Sequence, residues 1–265
     1  MYVNFDPLAE RFSRNIYGSL KGRIRQTLLE TLYLKHLPEL ASPGLRVLDA
    51  GGGLGQMTQW MLTLGHHVDY FDVAGDMVAE LERSLAESLA SGQCRLQQAS
   101  VFDVNLEPDH DVVMLHAVLE WLERPTAALD RAMSWVAPGG IIGVMVYNRH
   151  MLELRNLMRG TLEKVKSGQL QGLAGGLTPI SPMDPEPVRQ QLVEGGFDIL
   201  TQAGIRTFTD LTEPTVLSWY SDEDIIEMEQ RLCEQPPYRD LGRYVLLLAR
   251  KHPLNPYEAS PLGDW

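Results

Sequence analysis

A short apolar run, Leu45 to Ala50 (LRVLDA), leads directly into Gly51-Gly52-Gly53-Leu54-Gly55, and Gln56 to Leu64 then carries helical spacing. A buried strand that stops at an acid and a glycine run must turn tightly, and glycine supplies the backbone conformations such a turn needs. The turn also aims the N-terminal amides of the following helix at whatever sits above the strand. A strand followed by a helix in this way needs parallel neighbours, and the next stretch provides them. His67 to Asp72, Cys94 to Gln98, Asp111 to His116 and Ile141 to Tyr147 read as strands, with helices over Ala74 to Ala90 and about Pro125 to Val136 between them. The chain is therefore expected to be α/β, with a doubly wound, mostly parallel sheet of seven strands.

The outer segments complete that sheet less regularly. The first forty residues read as two helices joined by a turn in Asn15 to Gly22. Arg149 to Lys166 reads as an added helix, Ser167 to Pro187 as a Gly- and Pro-rich loop, and Val188 to Glu194 as a short helix. Phe197 to Phe208 and Arg243 to Lys251 read as the last two strands, with a helix over Asp222 to Cys233 between them. The expected organisation is one domain over 1–265, with a helical cap at 1–40, insertions at 149–187 and 209–240, and a tail at 252–265.

Charge narrows the partners. Lys plus Arg is 23 and Asp plus Glu is 35, so a uniformly basic nucleic-acid binder is excluded. The charge is segregated, however. Arg11, Arg14, Lys21, Arg23 and Arg25 follow one another without an acid, and Arg149 to Lys166 holds five basic residues against two acids. His67 to Asp130 holds thirteen acids against three basic residues. If the two basic segments cover the same sheet edge, they form a basic rim suited to RNA; if not, they are ordinary solvated helix faces. The two cysteines, Cys94 and Cys233, give neither a disulfide framework nor a metal cluster, and no metal is expected. With no signal peptide core and no apolar run of membrane-spanning length, a soluble cytoplasmic protein is expected.

The glycine loop separates two cofactor classes. A dinucleotide fingerprint places its third glycine where this chain has Gln56. Asp49 to Gly55 instead reads D-x-G-x-G-x-G, which resembles motif I of the class I S-adenosylmethionine-dependent methyltransferases, a Rossmann-like fold. That resemblance implies cofactor contacts from Asp49, Gly51, Gly52, Gly53 and Gly55. Asp72, at the end of the second strand, is placed to accept both ribose hydroxyls. Val101 and Asp103 in SVFD stand where such enzymes hold the adenine, and His116 ends the fourth strand beside the cofactor. His116 is read as a contact residue rather than a catalytic base.

A narrower resemblance rests on FSRNIYG (Phe12 to Gly18) with Lys21, Gly22 and Arg25, then LRVLDAGGG, HAVLEW, Tyr147-Asn148 and LGRYVLLLARK. Together these resemble the bacterial tRNA methyltransferases that esterify 5-carboxymethoxyuridine at the wobble position, from about Asn4 to Lys251. The chain departs from that pattern at Ser167 to Pro182, where LAGGLTPISP replaces a lysine run. The resemblance implies the anticodon stem-loop of tRNA as partner and S-adenosylhomocysteine as coproduct. It also implies Arg25 on the cofactor carboxylate, and Arg14, Tyr17, Lys21, Tyr147 and Asn148 around the modified base. Arg11, Arg149 and Arg155 are the further expected RNA contacts. Neutral donors such as Tyr147 and Asn148 are expected at the reacting group, because a tight charge clamp would stabilise the ground state. The acceptor carboxylate, with a reference pKa near ~4, is ionised at pH 7, so no general base is expected.

Three other readings share parts of this pattern. A small-molecule methyltransferase, for example of a quinone precursor, would share the glycine loop but lack a basic rim. An enzyme forming carboxy-S-adenosylmethionine would need a prephenate site. A non-catalytic cofactor-binding module would not need the intact loop and both acids.

Overall fold

The computed structural model describes residues 19–171 and 179–253. Its seven strands are β1 (Arg46–Ala50), β2 (His67–Asp72), β3 (Cys94–Gln98), β4 (His110–His116), β5 (Val136–Tyr147), β6 (Phe197–Ile205) and β7 (Tyr244–Lys251). They form one sheet in the order β3-β2-β1-β4-β5-β7-β6. The pairs from β3 to β5 are parallel, and β7 runs antiparallel to both β5 and β6. The chain winds outward from β1 to β3 and then returns to place β4 on the other side of β1. This reversal opens a crevice above the carboxyl ends of β1 and β4, the position at which doubly wound sheets bind ligands.

Alternating residues of the strands divide the core into two layers. One face carries Val47, Val68, Val112, Met114 and Leu246, packed under Ile24, Leu28, Leu29 and Leu32 of helix α1 (Leu20–His36). The other carries Leu48, Phe71, Val113, Val144 and Leu247, and is covered by α5 (Pro125–Ser134) and α8 (Pro185–Glu194). Between them in sequence lie α2 (Gln56–Thr63), α3 (Gly75–Ser84) and α4 (Ala86–Ala90), followed after β5 by α6 (Arg149–Met158) and α7 (Leu162–Lys166), and after β6 by α9 (Pro214–Leu217) and α10 (Asp222–Leu232). No helix among the described residues is long and apolar enough to cross a membrane.

Several expected elements differ in detail. The helix expected over Ala74 to Ala90 is broken at Leu85, and the one over Arg149 to Lys166 at Gly160, whose φ of +73° ends a helical turn. β5 starts at Val136, five residues before the expected Ile141, and runs through Pro138, Gly139 and Gly140. β6 stops at Ile205, three residues short of the expected end, because Arg206 takes a left-handed φ of +63°. Ser19 caps α1, its hydroxyl accepting from the Gly22 amide at 3.3 Å. The helix expected before this one lies outside the described residues.

Candidate active site

The glycine loop is built as a tight turn locked to its neighbours. Gly51, Gly53 and Gly55 have φ of +67°, +58° and +68°, a region L side chains rarely adopt. The Gly51 amide donates to Phe71 O at 2.8 Å, fastening the loop to β2. A Cβ on Gly52 would lie 2.6 Å from Asp49 Oδ2 and from the Tyr70 ring, so that position has no room for a side chain. Gly53 is different. Its added Cβ would meet only Met77 Sδ, at 3.9 Å, so the side of Gly53 away from the protein is open.

Two acids support this turn. Asp72 Oδ2 accepts from the Gly53 amide and Oδ1 from the Ala74 amide, both at 2.9 Å. The carboxylate thus holds the loop to the end of β2. Asp49 is buried at the end of β1, where Oδ2 accepts from Thr58 Oγ1 at 2.7 Å. Burial pushes its carboxyl up to about 6, against the opposing effect of the Thr58 hydrogen bond. Val101 is buried and Asp103 exposed, in a turn where the Asp103 amide donates to Ser100 O at 2.9 Å.

Asp49, Gly51, Gly52, Gln56 and His116 line a small cleft, open to solvent, together with Arg25, Gln26, Leu29 and Met57. The fold thus brings residues from α1, β1 and β4 to one mouth. Arg25 makes no ion pair among the described residues, and its guanidinium carbon lies 5.3 Å from the centre of the Tyr244 ring. His116 Nε2 lies 2.9 Å from the Tyr33 hydroxyl, while its buried Nδ1 has no hydrogen-bond partner. Burial, with a smaller contribution from Arg25, pushes the imidazole down to about 3, so it is neutral at pH 7. A neutral ring with so low a pKa is a contact group and a poor base.

The residues expected at the reacting group separate. Tyr147, at the end of β5, is buried, and its hydroxyl accepts from Arg243 Nη1 at 2.6 Å. Asn148 does not line the cleft: it is fully buried, and its amide donates to Asp240 O at 2.8 Å and Gly242 O at 2.9 Å. Its Oδ1 caps α6 by accepting from the His150 amide at 3.0 Å. With both N–H groups committed, Asn148 fastens the ends of β5 and β7 and has no donor left for an acceptor group, contrary to expectation.

A guanidinium group also stands beside Tyr147, the Arg243 Cζ lying 5.1 Å from the centre of its ring. Arg206 Nη2 and Asp210 form a tight ion pair, and Arg243 Nη2 and Lys21 Nζ approach the same carboxylate at 3.5 and 3.6 Å. Arg206 and Arg25 both lie against the Tyr244 ring, at 5.8 and 5.3 Å, which joins this cluster to the cleft. The sequence reading missed Arg206, Asp210 and the Arg243–Tyr147 contact. LGRY was visible as a motif, but the role of its arginine depends on a loop nearly forty residues away.

The basic rim is thinner than the sequence suggests. Arg23 is paired with Asp222 and Glu223 at 2.8 and 3.0 Å, and Arg149 with Glu153 at 2.9 Å. Arg155 has no ion pair among the described residues, and its Nε is buried without a partner. Arg11, Arg14 and Tyr17 lie outside the described residues.

Comparison with known proteins agrees with this geometry. Residues 48–142 match a family described as a methyltransferase domain. The chain is 37% identical over 250 residues to the tRNA 5-carboxymethoxyuridine methyltransferase of Escherichia coli (strain K12), covering 94% of this chain and 96% of that protein. The chain belongs to the tRNA 5-carboxymethoxyuridine methyltransferase family. It is thus an S-adenosylmethionine-dependent methyltransferase of class I. A ubiquinone biosynthesis O-methyltransferase of Xanthomonas campestris pv. campestris (strain B100) is 30% identical, but over only 42% of this chain and 46% of that protein. Among solved structures, the magnesium protoporphyrin IX methyltransferase of Synechocystis PCC 6803 with bound SAH superposes with a TM-score of 0.62 at 17% identity, covering 93% of this chain and 95% of that one. The [4+2]-cyclase SpnF superposes at 0.55 with 19% identity, covering 85% and 81%. A shared fold therefore does not fix the reaction.

Proposed function

We propose that this chain transfers a methyl group from S-adenosylmethionine to the carboxylate of 5-carboxymethoxyuridine at the wobble position of tRNA, giving the methyl ester. The observation that carries this reading is 37% identity along 94% of the chain to a tRNA 5-carboxymethoxyuridine methyltransferase, on a chain whose glycine loop, Asp49 and unpaired Arg25 meet in one cleft. The partner is the anticodon stem-loop, and the setting is the cytoplasm, where tRNA is modified.

The residues present fit the cofactor. Gly53 leaves open backbone in the loop, Asp72 would present its carboxylate to the ribose hydroxyls, and Arg25 offers an unpaired guanidinium to the amino-acid carboxylate. His116 Nδ1, with no other partner, faces the same demand for a polar ligand atom. Val101 and Asp103 would flank the adenine. When bound, S-adenosylmethionine supplies an electrophilic methyl group on a sulfonium sulfur. The chain's own contribution is positional: it holds two anions, one on the cofactor and one on the acceptor, at separate cations in one cleft. No protein group has to remove a proton, because the acceptor is a carboxylate already ionised at neutral pH.

Mass spectrometry of wobble nucleosides from cells with and without the gene tests the reading directly. Loss of the methyl ester with accumulation of 5-carboxymethoxyuridine is expected. Unchanged nucleosides, together with no methyl transfer to that tRNA by purified enzyme, would overturn it.

A further inference from the structure

The described part of the chain holds one group of cations whose charge its own acids do not balance. Arg206 and Asp210 come from the loop after β6, Arg243 from the start of β7, and Lys21 from the first turn of α1. Asp210, with a fully buried side chain, is the one carboxylate that pairs with these three. Arg155 of α6 also lies within electrostatic range of Arg243, Asp210 and Tyr147. Three cations crowd a single carboxylate, with a fourth nearby. Arg206 is 7% exposed and its Nε has no hydrogen-bond partner, so a buried donor is left unsatisfied. Such an arrangement is costly unless a further anion completes it.

The cluster is held from behind. Glu229 of α10, fully buried, accepts from the Thr207, Phe208 and Thr209 amides at 2.6, 3.2 and 3.0 Å, which fixes the loop carrying Arg206 and Asp210. Tyr147 and Tyr244 pack edge-on with ring centres 5.4 Å apart, with Arg243 against the first ring and Arg206 against the second. Arg25, the cation assigned to the cofactor's carboxylate, lies against the same Tyr244 ring as Arg206, at 5.3 and 5.8 Å from its centre.

We infer that Arg206 and Arg243, with Asp210 as their internal counter-anion, form the seat for an oxyanion of the RNA substrate, and that this oxyanion is the carboxylate of the modified base. The inference rests on the proposed function and extends it to how the acceptor is selected and released. Guanidinium groups suit a carboxylate by geometry and charge. A depth at which the side chains of Arg243 and Asp210 are 13% and 0% exposed suits a carboxylate at the tip of a base better than a backbone phosphate. Asp210 keeps the seat from holding the substrate too firmly, since it competes for the same guanidinium groups. Esterification removes the acceptor's negative charge, so the seat that attracts the substrate releases the product.

The test measures equilibrium binding of the full chain with bound S-adenosylhomocysteine to three forms of one tRNA, carrying 5-carboxymethoxyuridine, its methyl ester or unmodified uridine. Wild type is expected to prefer the carboxylate form by at least about tenfold. Arg243→Gln and Arg206→Gln should each abolish that preference while leaving binding to the other two tRNAs within about twofold. Asp210→Asn should raise affinity for the carboxylate form. S-adenosylhomocysteine affinity, unchanged in all three variants, controls for folding. Equal weakening on all three tRNAs would assign the seat to a backbone phosphate, and an intact preference in both arginine variants would remove the seat; either overturns the inference. Wild-type enzyme that fails to methylate the carboxylate tRNA at all would overturn the proposed function instead.

Discussion

The Tyr33 hydroxyl lies 2.9 Å from His116 Nε2, with both side chains buried and their rings edge-on at 5.8 Å. Burial pushes the imidazole down to about 3 and the phenol well above its ordinary value. The pair is therefore neutral throughout the physiological range and has no proton to trade with a reacting group. In the cleft wall it acts as a polar surface of fixed orientation.

This neutrality sets the pH dependence of the reaction. The single-turnover rate at saturating cofactor should owe no pH dependence between about 6 and 8 to the acceptor or to His116, because neither titrates there. The carboxyls that do, Asp49 at about 6 and Glu120 at about 7, would give any slope that remains. His116→Gln should keep that shape and lower the rate by less than about tenfold, acting mainly on cofactor affinity. A wild-type rate that climbs steeply between pH 6 and 8, with the climb lost in the variant, would restore His116 as a base and exclude a carboxylate acceptor.

Gly53 and Asp72 give a second prediction. A β-branched side chain at φ +58° is strained even though space is open around it, and Gly53→Val should cost about 1–2 kcal/mol of stability. Its side chain would also fill the open space on the side of the loop where the cofactor is proposed to lie. Asp72→Asn removes acceptor capacity that the Gly53 and Ala74 amides already draw on. Both variants should lose at least about tenfold in affinity for S-adenosylhomocysteine by calorimetric titration, the scale of one lost charged hydrogen bond. Near-normal affinity in Asp72→Asn would show that this carboxylate only holds the loop.

These two sites also show where a sequence can be read directly. Asp49 to Gly55, Asp72 and His116 lie at strand ends in a repeating β-α pattern, so their positions follow from local periodicity and the topology rule for parallel sheets. The far end of the cleft is not local. Arg206 matters because its left-handed φ ends β6 and Asp210, four residues on, meets cations from two other segments. Arg23 looked like part of a basic rim until α10 brought Asp222 and Glu223 against it. Asn148, adjacent to Tyr147 in sequence, looked like its functional partner but became a helix cap and a strand clamp. In each case the decisive neighbour is remote in sequence, which neither spacing nor composition records.

Glu229 gives a third prediction. Its carboxylate accepts from three amides and from the Thr207 and Thr209 hydroxyls. Glu229→Gln puts an N–H group where one oxygen accepted, so buried donors face a donor. The change should cost about 2–4 kcal/mol in urea denaturation. It should also weaken discrimination among tRNAs more than cofactor affinity, since the loop it fixes carries Arg206. A loss under about 0.5 kcal/mol, the range of ordinary surface changes, would mean that the loop is held by other contacts.

The last prediction concerns Glu120 of HAVLEW, whose side chain is 1% exposed. Its Oε1 accepts from the Tyr147 amide at 3.2 Å, while Oε2 is buried without a partner. Burial pushes this carboxyl up from 4.5 to about 7, despite the hydrogen bonds and Arg25, which lower it. The folded state therefore keeps a proton that the unfolded chain releases above about pH 4.5. The contribution of Glu120 to stability is complete below that pH and declines as pH rises toward 7, where the folded carboxyl finally ionises. A rise from 4.5 to about 7 corresponds to a loss of roughly 3 kcal/mol at ~1.4 kcal/mol per pH unit. Glu120→Gln keeps an acceptor for the Tyr147 amide but cannot ionise. Relative to wild type, the variant should become progressively more stable between pH 5 and 8 in denaturant titrations, by about 2–3 kcal/mol across that range. Parallel wild-type and variant profiles would mean that Glu120 ionises alike in the folded and unfolded chain, and that its buried oxygen finds a partner when charged.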